Sequence, residues 1–468
     1  MHRLYNAKWQ WLIAFAYALV AMYAMRRQVI PMMAPHEGGN LGGDPLYYHH
    51  LAMELAGRIR AQGMGAWALH VDGQGPAGVM ALIYLVARPQ IGIVALNAAL
   101  HATAGLMIIL ILRRFFSPAV AVLSAMPFVV SLHQMFWFSQ VNKDSFVASG
   151  FMLFAYGLLR ITRRIAGTPT RKDLLEFILL SGGGAVLIYI GRPFIVFLLQ
   201  HFAIAILLAT LAIAAIDRSG NSLIQRASYT ILCCLFLLSL SPLTVGAASD
   251  QTLTEFASAE TSGHSQDSVP PDPAPHDSLS RYPVAHACLE RSFYGWEESV
   301  HVSPGLNARL RALFSQRCLY FIQLYDPNPT TRSAVVDADV FPGSPADALR
   351  YLPKAALNGF LAPYPTTAAP HFGTSTFFTI ATLEVAAFAL TIPFLIGWLL
   401  RDRSNAAVLA PLALSAGVVL IYGMGVPFVG ALYRYRYPFW MLVFCIGLAA
   451  TLDLFDSRLK GRHRQDVV

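Results

Sequence analysis

Residues 9–50 read WQWLIAFAYALVAMYAMRRQVIPMMAPHEGGNLGGDPLYYHH. An apolar run of about 20 residues, the length that crosses a bilayer, is followed by a polar loop that holds Asp44, two tyrosines and two histidines. A carboxylate placed just beyond a membrane span lies at the membrane surface. This order of segments predicts a chain built around the bilayer, with polar side chains gathered at one face of it.

The composition of the whole chain is that of a membrane protein. Of 468 residues, 56% are hydrophobic and only 13% are charged, whereas about 25% charged residues are usual in soluble domains. The net charge of +8 comes from short loops and the C-terminal tail, a pattern that follows membrane topology and argues against nucleic-acid binding. We therefore predict an all-α polytopic membrane protein.

About ten transmembrane helices are expected from apolar runs of near-membrane length. Placing both termini in the cytoplasm puts nearly all basic loops on the cytoplasmic side, as the positive-inside rule requires. Asp44 then faces the periplasm of a bacterial inner membrane, and Arg26 and Arg27 are outer exceptions that we expect to contact lipid head groups. The predicted spans are 9–29, 92–112, 117–135, 145–160, 174–191, 194–216, 227–247, 374–398, 406–425 and 437–455.

The chain is expected to divide into three parts. Residues 1–247 form an N-terminal membrane module whose first outer loop is 30–91. Residues 248–373 form a periplasmic loop domain, and residues 374–468 carry the last transmembrane helices and a basic cytoplasmic tail.

The outer loops are predicted to be mainly helical. Residues 51–67 have apolar positions at helical spacing, and 76–88 form an apolar run too short to cross, so both are predicted to lie in the outer leaflet. In the large loop, 262–283 are rich in Ser, Pro and Asp and predict a linker, whereas 307–324 and 346–361 predict helices.

Two carboxylates are candidates for chemistry at the outer face. Asp44, near Tyr48 and His49, can act as a general base on a sugar or lipid hydroxyl, although Gly-Asp-Pro also suits an Asx turn. Asp144 follows Lys143 at the outer end of a span. It can hold a substrate hydroxyl, or it can cap the helix.

Three outer arginines run against the positive-inside bias and so need a reason. Arg192 lies between two spans, and Arg434 and Arg436 alternate with tyrosines. A guanidinium binds phosphate with two donors and stacks on aromatic rings, although snorkelling to head groups is the alternative. Glu384, an acid within a span, is a candidate to pair with an arginine or with Lys143.

Metal and cysteine chemistry stay open. His49 and His50 with Asp44 leave a divalent metal ion as an option, but no further ligand follows at metal-site spacing, so no cofactor is certain. Packing at the interface or hydrogen bonding to a substrate is the alternative for the two histidines, and Tyr48, His49 and Lys143 are candidates to bind substrate. Cys288 and Cys318 lie in the large outer loop, where an oxidising periplasm would permit a disulfide.

Several of these motifs resemble the GT-C superfamily of glycosyltransferases, integral membrane enzymes that use polyprenyl-phosphate-linked sugars. The segment DPLYYHHLA at 44–52 is similar to their first outer loop. The likeness covers roughly the first 200 and the last 40 residues. It continues at Gly75-Pro76, Leu96-Asn97, Arg113-Arg114, Asn142 to Ser145, and Tyr433 to Pro438.

The resemblance implies a hexosyl- or pentosyltransferase of cell-envelope or exopolysaccharide synthesis. Its partners would be a polyprenyl-phosphate sugar donor, a glycan, lipid or protein acceptor, and the bilayer, with no nucleic acid. Asp44 takes the place of the base, Asp144 that of the second acid, and the arginines that of the phosphate ligands. This chain differs in having a single Pro76 before the short apolar run and a soluble region between spans.

Three other interpretations stay open from the sequence. A polysaccharide polymerase or ligase that uses lipid-diphosphate glycans also needs outer arginines. A glycan or lipid transporter predicts charges near mid-membrane, for which Glu384 is the candidate. A scaffold subunit of an envelope-glycan export complex would tolerate replacement of the Asp and Arg residues.

Overall fold

The computed structural model describes residues 6–33, 43–216, 223–240, 287–324, 335–337, 339–364, 376–401 and 407–465. Within these ranges the chain is nearly all helix and contains no β-strand, only isolated bridges. The all-α class predicted from composition is confirmed.

The helices are numbered here in chain order. A π-helical turn at Met25–Val29 and a short helix Ile30–Met33 continue the first helix beyond Ala24. The helices of the described ranges are given in that order. They are α1 Ala7–Ala24, α2 Asp44–Gln62, α3 Gly75–Val86, α4 Pro89–Leu112, α5 Pro118–Val129, α6 Leu132–Phe138, α7 Asp144–Ala166, α8 Arg171–Gly191, α9 Pro193–Ile216, α10 Leu223–Ser239, α11 Pro304–Leu324, α12 Pro345–Leu361, α13 Thr376–Arg401, α14 Leu409–Gly425 and α15 Val429–Gln465.

Seven helices in the described ranges are long and apolar enough to cross a membrane, and an eighth span results if α5 and α6 are counted together. Those two helices are bent by 52° where the span 117–135 was predicted to be continuous. The bend has a local cause, because the Ser131 hydroxyl accepts the Gln134 N–H at 3.3 Å and so starts a new helix. The predicted spans 227–247 and 406–425 correspond to the shorter apolar helices α10 and α14.

The contacts between Cα atoms divide the chain into two compact units. The first comprises Met1–Ser258, Thr391–Ser415 and Met441–Val468, and the second comprises Ala259–Leu390 and Ala416–Trp440. The last three helices therefore contribute residues to both units. The three-part division expected from the sequence stays a prediction.

Helix α7 lies at the centre of the first unit. In its most apolar window 89% of the residues are buried, whereas no other long helix exceeds 67%. Its main neighbour is α8, which starts with reciprocal hydrogen bonds. The Thr170 hydroxyl accepts the Asp173 N–H at 3.3 Å, and the Asp173 carboxylate accepts the Thr170 N–H at 3.0 Å.

Glycines allow α7 and α8 to touch backbone to backbone. A Cβ on Gly150 would lie 2.5 Å from the Gly184 carbonyl oxygen, and one on Gly184 would lie 2.5 Å from the Gly150 oxygen. Gly182 approaches the Phe236 ring, while Gly183 has open space around its Cβ position. Of the three adjacent glycines, Gly184 is thus the one that the packing of α7 against α8 requires.

The first outer loop contains the two helices expected there. Helix α2 starts at Asp44, earlier than the predicted 51, and buries Tyr48, Ala52, Leu55 and Ile59 against α3. Helix α3 has 12 residues and is about 18 Å long, too short to cross the hydrocarbon core. The loop is therefore helical but does not add a span.

The second unit is built around helices α11 and α12, close to the predicted 307–324 and 346–361. Trp296, Phe314 and Tyr351 form its apolar core with residues of α14. Cys288 and Cys318 are joined as a disulfide with a Cα–Cα distance of 5.7 Å. The predicted linker 262–283 lies outside the described residues.

The contact at Gly184 is expected to show itself in stability. Gly184→Ala places a methyl against the Gly150 carbonyl and should cost about 1–3 kcal/mol through overpacking. Gly183→Ala is the matched control, because its Cβ meets nothing and alanine favours the helix by about 0.5–1 kcal/mol. Thermal unfolding of both variants in one detergent measures this. A Gly184→Ala protein as stable as the Gly183→Ala protein would contradict the contact.

Candidate active site

A buried ion pair joins the ends of α7 and α8. The Arg192 guanidinium donates to the Asp144 carboxylate at 3.0 Å, and the two side chains are 10% and 8% exposed. Asp144 is the first residue of α7, and Arg192 directly follows α8, so two consecutive membrane helices present opposite charges at one end of the pair. In such a site each charge needs the other, because burial of an unpaired charge is costly.

The cap of α7 is Asn142, not Asp144. The Asn142 side-chain oxygen accepts the N–H groups of Asp144 and Ser145 at 2.9 and 3.1 Å. The Asn142 side chain thus holds two of the free N–H groups of the first turn. The Asp144 carboxylate is left to contact Arg192.

A buried amide network fixes the loop that leads into α7. Asn97 donates to the carbonyls of Phe138 and Gln140 at 2.7 and 2.9 Å, and its oxygen accepts the Ser145 hydroxyl at 2.8 Å. Asn142 also donates to the Gln140 carbonyl at 3.1 Å. These bonds determine where residues 143 and 144 lie.

Lys143 connects the ion pair to the first outer loop. Its ammonium lies 5.3 Å from the centre of the Tyr48 ring, a cation–π distance. Asp44 lies one helical turn before Tyr48, on the same face of α2, and is exposed. We call Asp44, Tyr48, Lys143, Asp144 and Arg192 the outer carboxylate cluster.

The sequence did not single out His70, which flanks this cluster. Its Nε2 donates to the Tyr189 carbonyl at 3.2 Å, and the two rings are 4.7 Å apart. Burial lowers the pKa of His70, the hydrogen bond to Tyr189 opposes this, and the charge of Lys143 adds to it. Gly75 packs against the same groups, since a Cβ on it would lie 2.2 Å from the Ile190 carbonyl oxygen and 2.9 Å from His70 Nε2.

The position of the His49 side chain does not favour a metal site shared with Asp44. It is buried, and its Nδ1 lies 2.9 Å from the Tyr84 hydroxyl of α3. His50, by contrast, is exposed. Among the described residues, no group of three His, Cys, Asp or Glu side chains is arranged to hold a metal ion. Packing of α2 on α3 accounts for His49.

The expectation that Arg26 contacts lipid head groups is not met. Arg26 is 3% exposed and donates to the Ser139 carbonyl at 2.8 Å. It therefore supports the same loop that Asn97 holds. Arg27 stays exposed and lies over the Tyr23 ring at 5.6 Å.

In the second unit, the Arg436 guanidinium binds backbone carbonyl groups. It is fully buried and donates to the carbonyls of Asn358, at 2.8 Å, Gly359 and Ala362. The Trp440 indole N–H donates to the carbonyl of Phe360, in the same stretch of chain, at 2.9 Å. These oxygens end helix α12, so Arg436 caps a helix C-terminus. In this arrangement protein carbonyls take the place expected for a phosphate.

The other predicted residues of the second unit have aromatic partners. Glu384 accepts a hydrogen bond from the Tyr433 hydroxyl, in place of the expected arginine or Lys143. Arg434 is half-buried and lies 5.8 Å from the centre of the Tyr435 ring. Of the two arginines in this run, Arg434 is the one nearer the surface.

Asp337, an acid that the sequence gave no reason to select, contacts three side chains of α12. The Asp337 carboxylate contacts the Lys354 ammonium at 2.6 Å and accepts the Tyr351 hydroxyl at 3.0 Å, and it also accepts from Asn358. Burial raises the pKa of Tyr351, while Arg317 opposes the shift. Because these partners belong to α12, their bonds hold the loop that carries Asp337 against this helix.

No protein-family model and no curated protein matches this chain. One similar solved structure is the apo form of the Archaeoglobus fulgidus oligosaccharyltransferase. The two chains are 15% identical with a TM-score of 0.47, and the match covers 98% of this chain and 52% of the other. This chain thus spans about half the length of the protein it resembles.

Removing one partner of the Asp144–Arg192 pair is expected to destabilise the protein more than removing both. Asp144→Asn leaves the buried guanidinium without that carboxylate, at a cost of about 3–5 kcal/mol. The double variant Asp144→Asn with Arg192→Gln removes both charges and should recover part of the loss. Melting temperatures of wild type, single and double variants measure this. Equal values for wild type and Asp144→Asn would contradict the pair.

The two arginines of the tyrosine-rich run should differ in stability effect. Arg436→Gln removes charged donors from buried carbonyls and should cost about 3 kcal/mol or more. Arg434→Gln changes a half-buried side chain and should cost about 1 kcal/mol or less. The same unfolding assay compares them. Equal losses would show that the capping bonds of Arg436 do not hold α12.

Proposed function

We propose that the protein is a membrane glycosyltransferase that moves a sugar from a polyprenyl-phosphate-linked donor to an acceptor. The observation that carries the proposal is the outer carboxylate cluster. It combines an exposed acid, a lysine and a buried acid–arginine pair at the ends of membrane helices. Lipid-linked phosphate chemistry needs both signs of charge at the membrane surface.

The proposed step is attack of an acceptor hydroxyl on the anomeric carbon of the donor sugar. Asp44 takes the hydroxyl proton as the new carbon–oxygen bond forms. The bond between that carbon and the phosphate oxygen breaks, and its electron pair leaves with the lipid phosphate. Exposure of Asp44 at the first turn of α2 suits contact with an acceptor that arrives from water.

Lys143 and Arg192 are proposed to stabilise the charge that develops on the leaving phosphate. Cations fixed in advance near such a charge stabilise a transition state more than mobile ones. The Asp144 carboxylate holds the Arg192 guanidinium in position at 3.0 Å, and the Lys143 ammonium lies over the Tyr48 ring. Asp144 is therefore proposed as a positioning residue.

In the second unit we keep Arg434 as a proposed contact for lipid phosphate, since its side chain is half-buried beside Tyr435. Arg436 and Glu384 are proposed to hold in place the helix ends near Arg434. A divalent metal ion stays an option for the donor phosphate.

The side of the membrane follows from charge. Helix α7 has Asp144 at one end and Arg163 and Arg164 in its last turn, and α8 begins at Arg171 and Lys172. The positive-inside rule places the basic ends in the cytoplasm. The outer carboxylate cluster then faces the periplasm of a bacterial inner membrane, where cell-envelope or exopolysaccharide glycans are assembled.

The proposal is tested by donor turnover with Asp44→Asn. Wild-type protein in lipid is supplied with membrane lipid extract, and mass spectrometry follows both released polyprenyl phosphate and glycosylated product. Loss of the base should slow release on the order of 100-fold or more. Glu54→Gln is the matched control, because Glu54 is an exposed acid on the same helix, 3.8 Å from Arg58.

Other outcomes separate the alternatives. A folded Asp44→Asn protein with wild-type turnover would remove Asp44 as the base. A polymeric product would favour a polymerase or ligase. No release by wild type, with donor present in the extract, would move the assignment to a transporter or scaffold.

A further inference from the structure

A second charged site lies at the other end of α7. Four guanidiniums line a cavity of about 270 Å³ in the first unit. Arg114 follows α4, and the other three lie in the last turns of α7. The volume is just below the roughly 300–1,000 Å³ of pockets for drug-sized ligands, which suits a head group. The lining residues are Arg114, Leu159, Arg160, Arg163 and Arg164, and we call them the arginine pocket.

Two of the four charges have carboxylate partners. Arg160 pairs with Glu176, and Arg164 pairs with Asp173 at 3.1 Å. Both acids belong to α8. These pairs hold one wall of the cavity and reduce its repulsion.

The other two charges are held by neutral groups. Arg114 donates to the Tyr156 hydroxyl at 3.1 Å, and Arg163 donates to the Arg114 carbonyl at 3.2 Å and lies 5.5 Å from the Phe115 ring centre. In the described part of the chain neither has a carboxylate within ion-pair distance. Among the described residues, two positive charges around one cavity therefore have no carboxylate to balance them.

Snorkelling alone does not account for this geometry. Arginines that reach for head groups independently point outward into water or lipid. Here the Tyr156 ring lies 5.9 Å from the guanidiniums of both Arg114 and Arg160, and Arg163 bonds to the backbone of Arg114. The side chains are held together against their mutual repulsion. Such an arrangement matches an anion with several acceptor oxygens.

We propose that the arginine pocket binds a phosphate ester, supplied either by the head group of an anionic lipid or by a small soluble phosphate. The site is distinct from the outer carboxylate cluster, because Asp144 and Arg163 are 19 residues apart on one helix, or about 28 Å. That distance is close to the thickness of the hydrocarbon core, about 30 Å. The pocket thus lies at the opposite, basic face of the membrane, and it does not depend on the glycosyltransferase assignment.

The test measures binding to the purified full-length protein. Protein in neutral detergent is titrated with phosphatidylglycerol, with diacylglycerol, which lacks the phosphate, or with glycerol 3-phosphate. Native mass spectrometry counts bound ligand, and the melting temperature is recorded. The pocket variant is Arg114→Gln with Arg163→Gln. The matched control is Arg171→Gln with Lys172→Gln, which removes the same charge from exposed positions at the start of α8.

We expect wild type to prefer phosphatidylglycerol over diacylglycerol on the order of tenfold, an effect that two arginines near the membrane can supply. The pocket variant should lose that preference and the control should keep it. A rise in melting temperature with glycerol 3-phosphate that the pocket variant loses and the control keeps would identify a soluble phosphate as the ligand. Equal binding of the two lipids by wild type, or equal losses in both variants, would overturn the proposal. If the double variant does not fold, Arg163→Gln against Arg171→Gln makes the same comparison, since both side chains are exposed.

Discussion

The close approach of α7 and α8 is the constraint on which the outer half of the first unit depends. Two membrane helices that touch backbone to backbone at Gly150 and Gly184 bring their ends together as well. At those ends Asp144 meets Arg192 at 3.0 Å, and a Cβ on Gly191 would lie 2.8 Å from the Lys143 oxygen. The packing of small residues therefore supports the charge chemistry.

The arginines predicted to lie at the outer face have different roles in spite of a common sequence signal. Arg192 pairs with a carboxylate, Arg26 donates to one backbone carbonyl, and Arg436 donates to several. A guanidinium has five donors and takes whichever acceptors surround it. An arginine on the side of the membrane that usually lacks basic residues is thus evidence of a burial partner as much as of a ligand. Only the structure separates the two cases.

The sequence was sufficient for most of the fold because run length and apolar spacing are local properties. They predicted the long spans, the position of α2 and α3, and helices close to α11 and α12. The bend between α5 and α6 was missed, although Ser131 is a capping residue. Capping signals are weak beside a continuous apolar run, so hydropathy dominated the prediction.

The side-chain contacts within each unit were harder to predict because they join distant parts of the chain. His70 meets Tyr189 across 119 positions, and Asp337 meets Lys354 and Asn358 from a separate loop. Neither acid nor histidine belongs to a spaced motif. The sequence offered Asp144 as a cap for α7, whereas the structure shows the Asn142 side chain accepting the Asp144 N–H, a choice that the backbone geometry decides.

Helix α7 relates the two charged sites of the first unit. A span with one face on lipid can carry charges at its ends simply by contact with head groups and water. Helix α7 is enclosed by protein over most of its length, so its terminal charges lie among other side chains. At both ends a guanidinium binds a carboxylate across the two helices: Arg192, which follows α8, binds Asp144 of α7, and Arg164 of α7 binds Asp173 of α8. At the outer end, where one acid and one arginine pair, the charges balance. At the other end, among the described residues, four arginines line the arginine pocket and two acids pair with them, and this excess of positive charge is the physical basis of the proposed anion site.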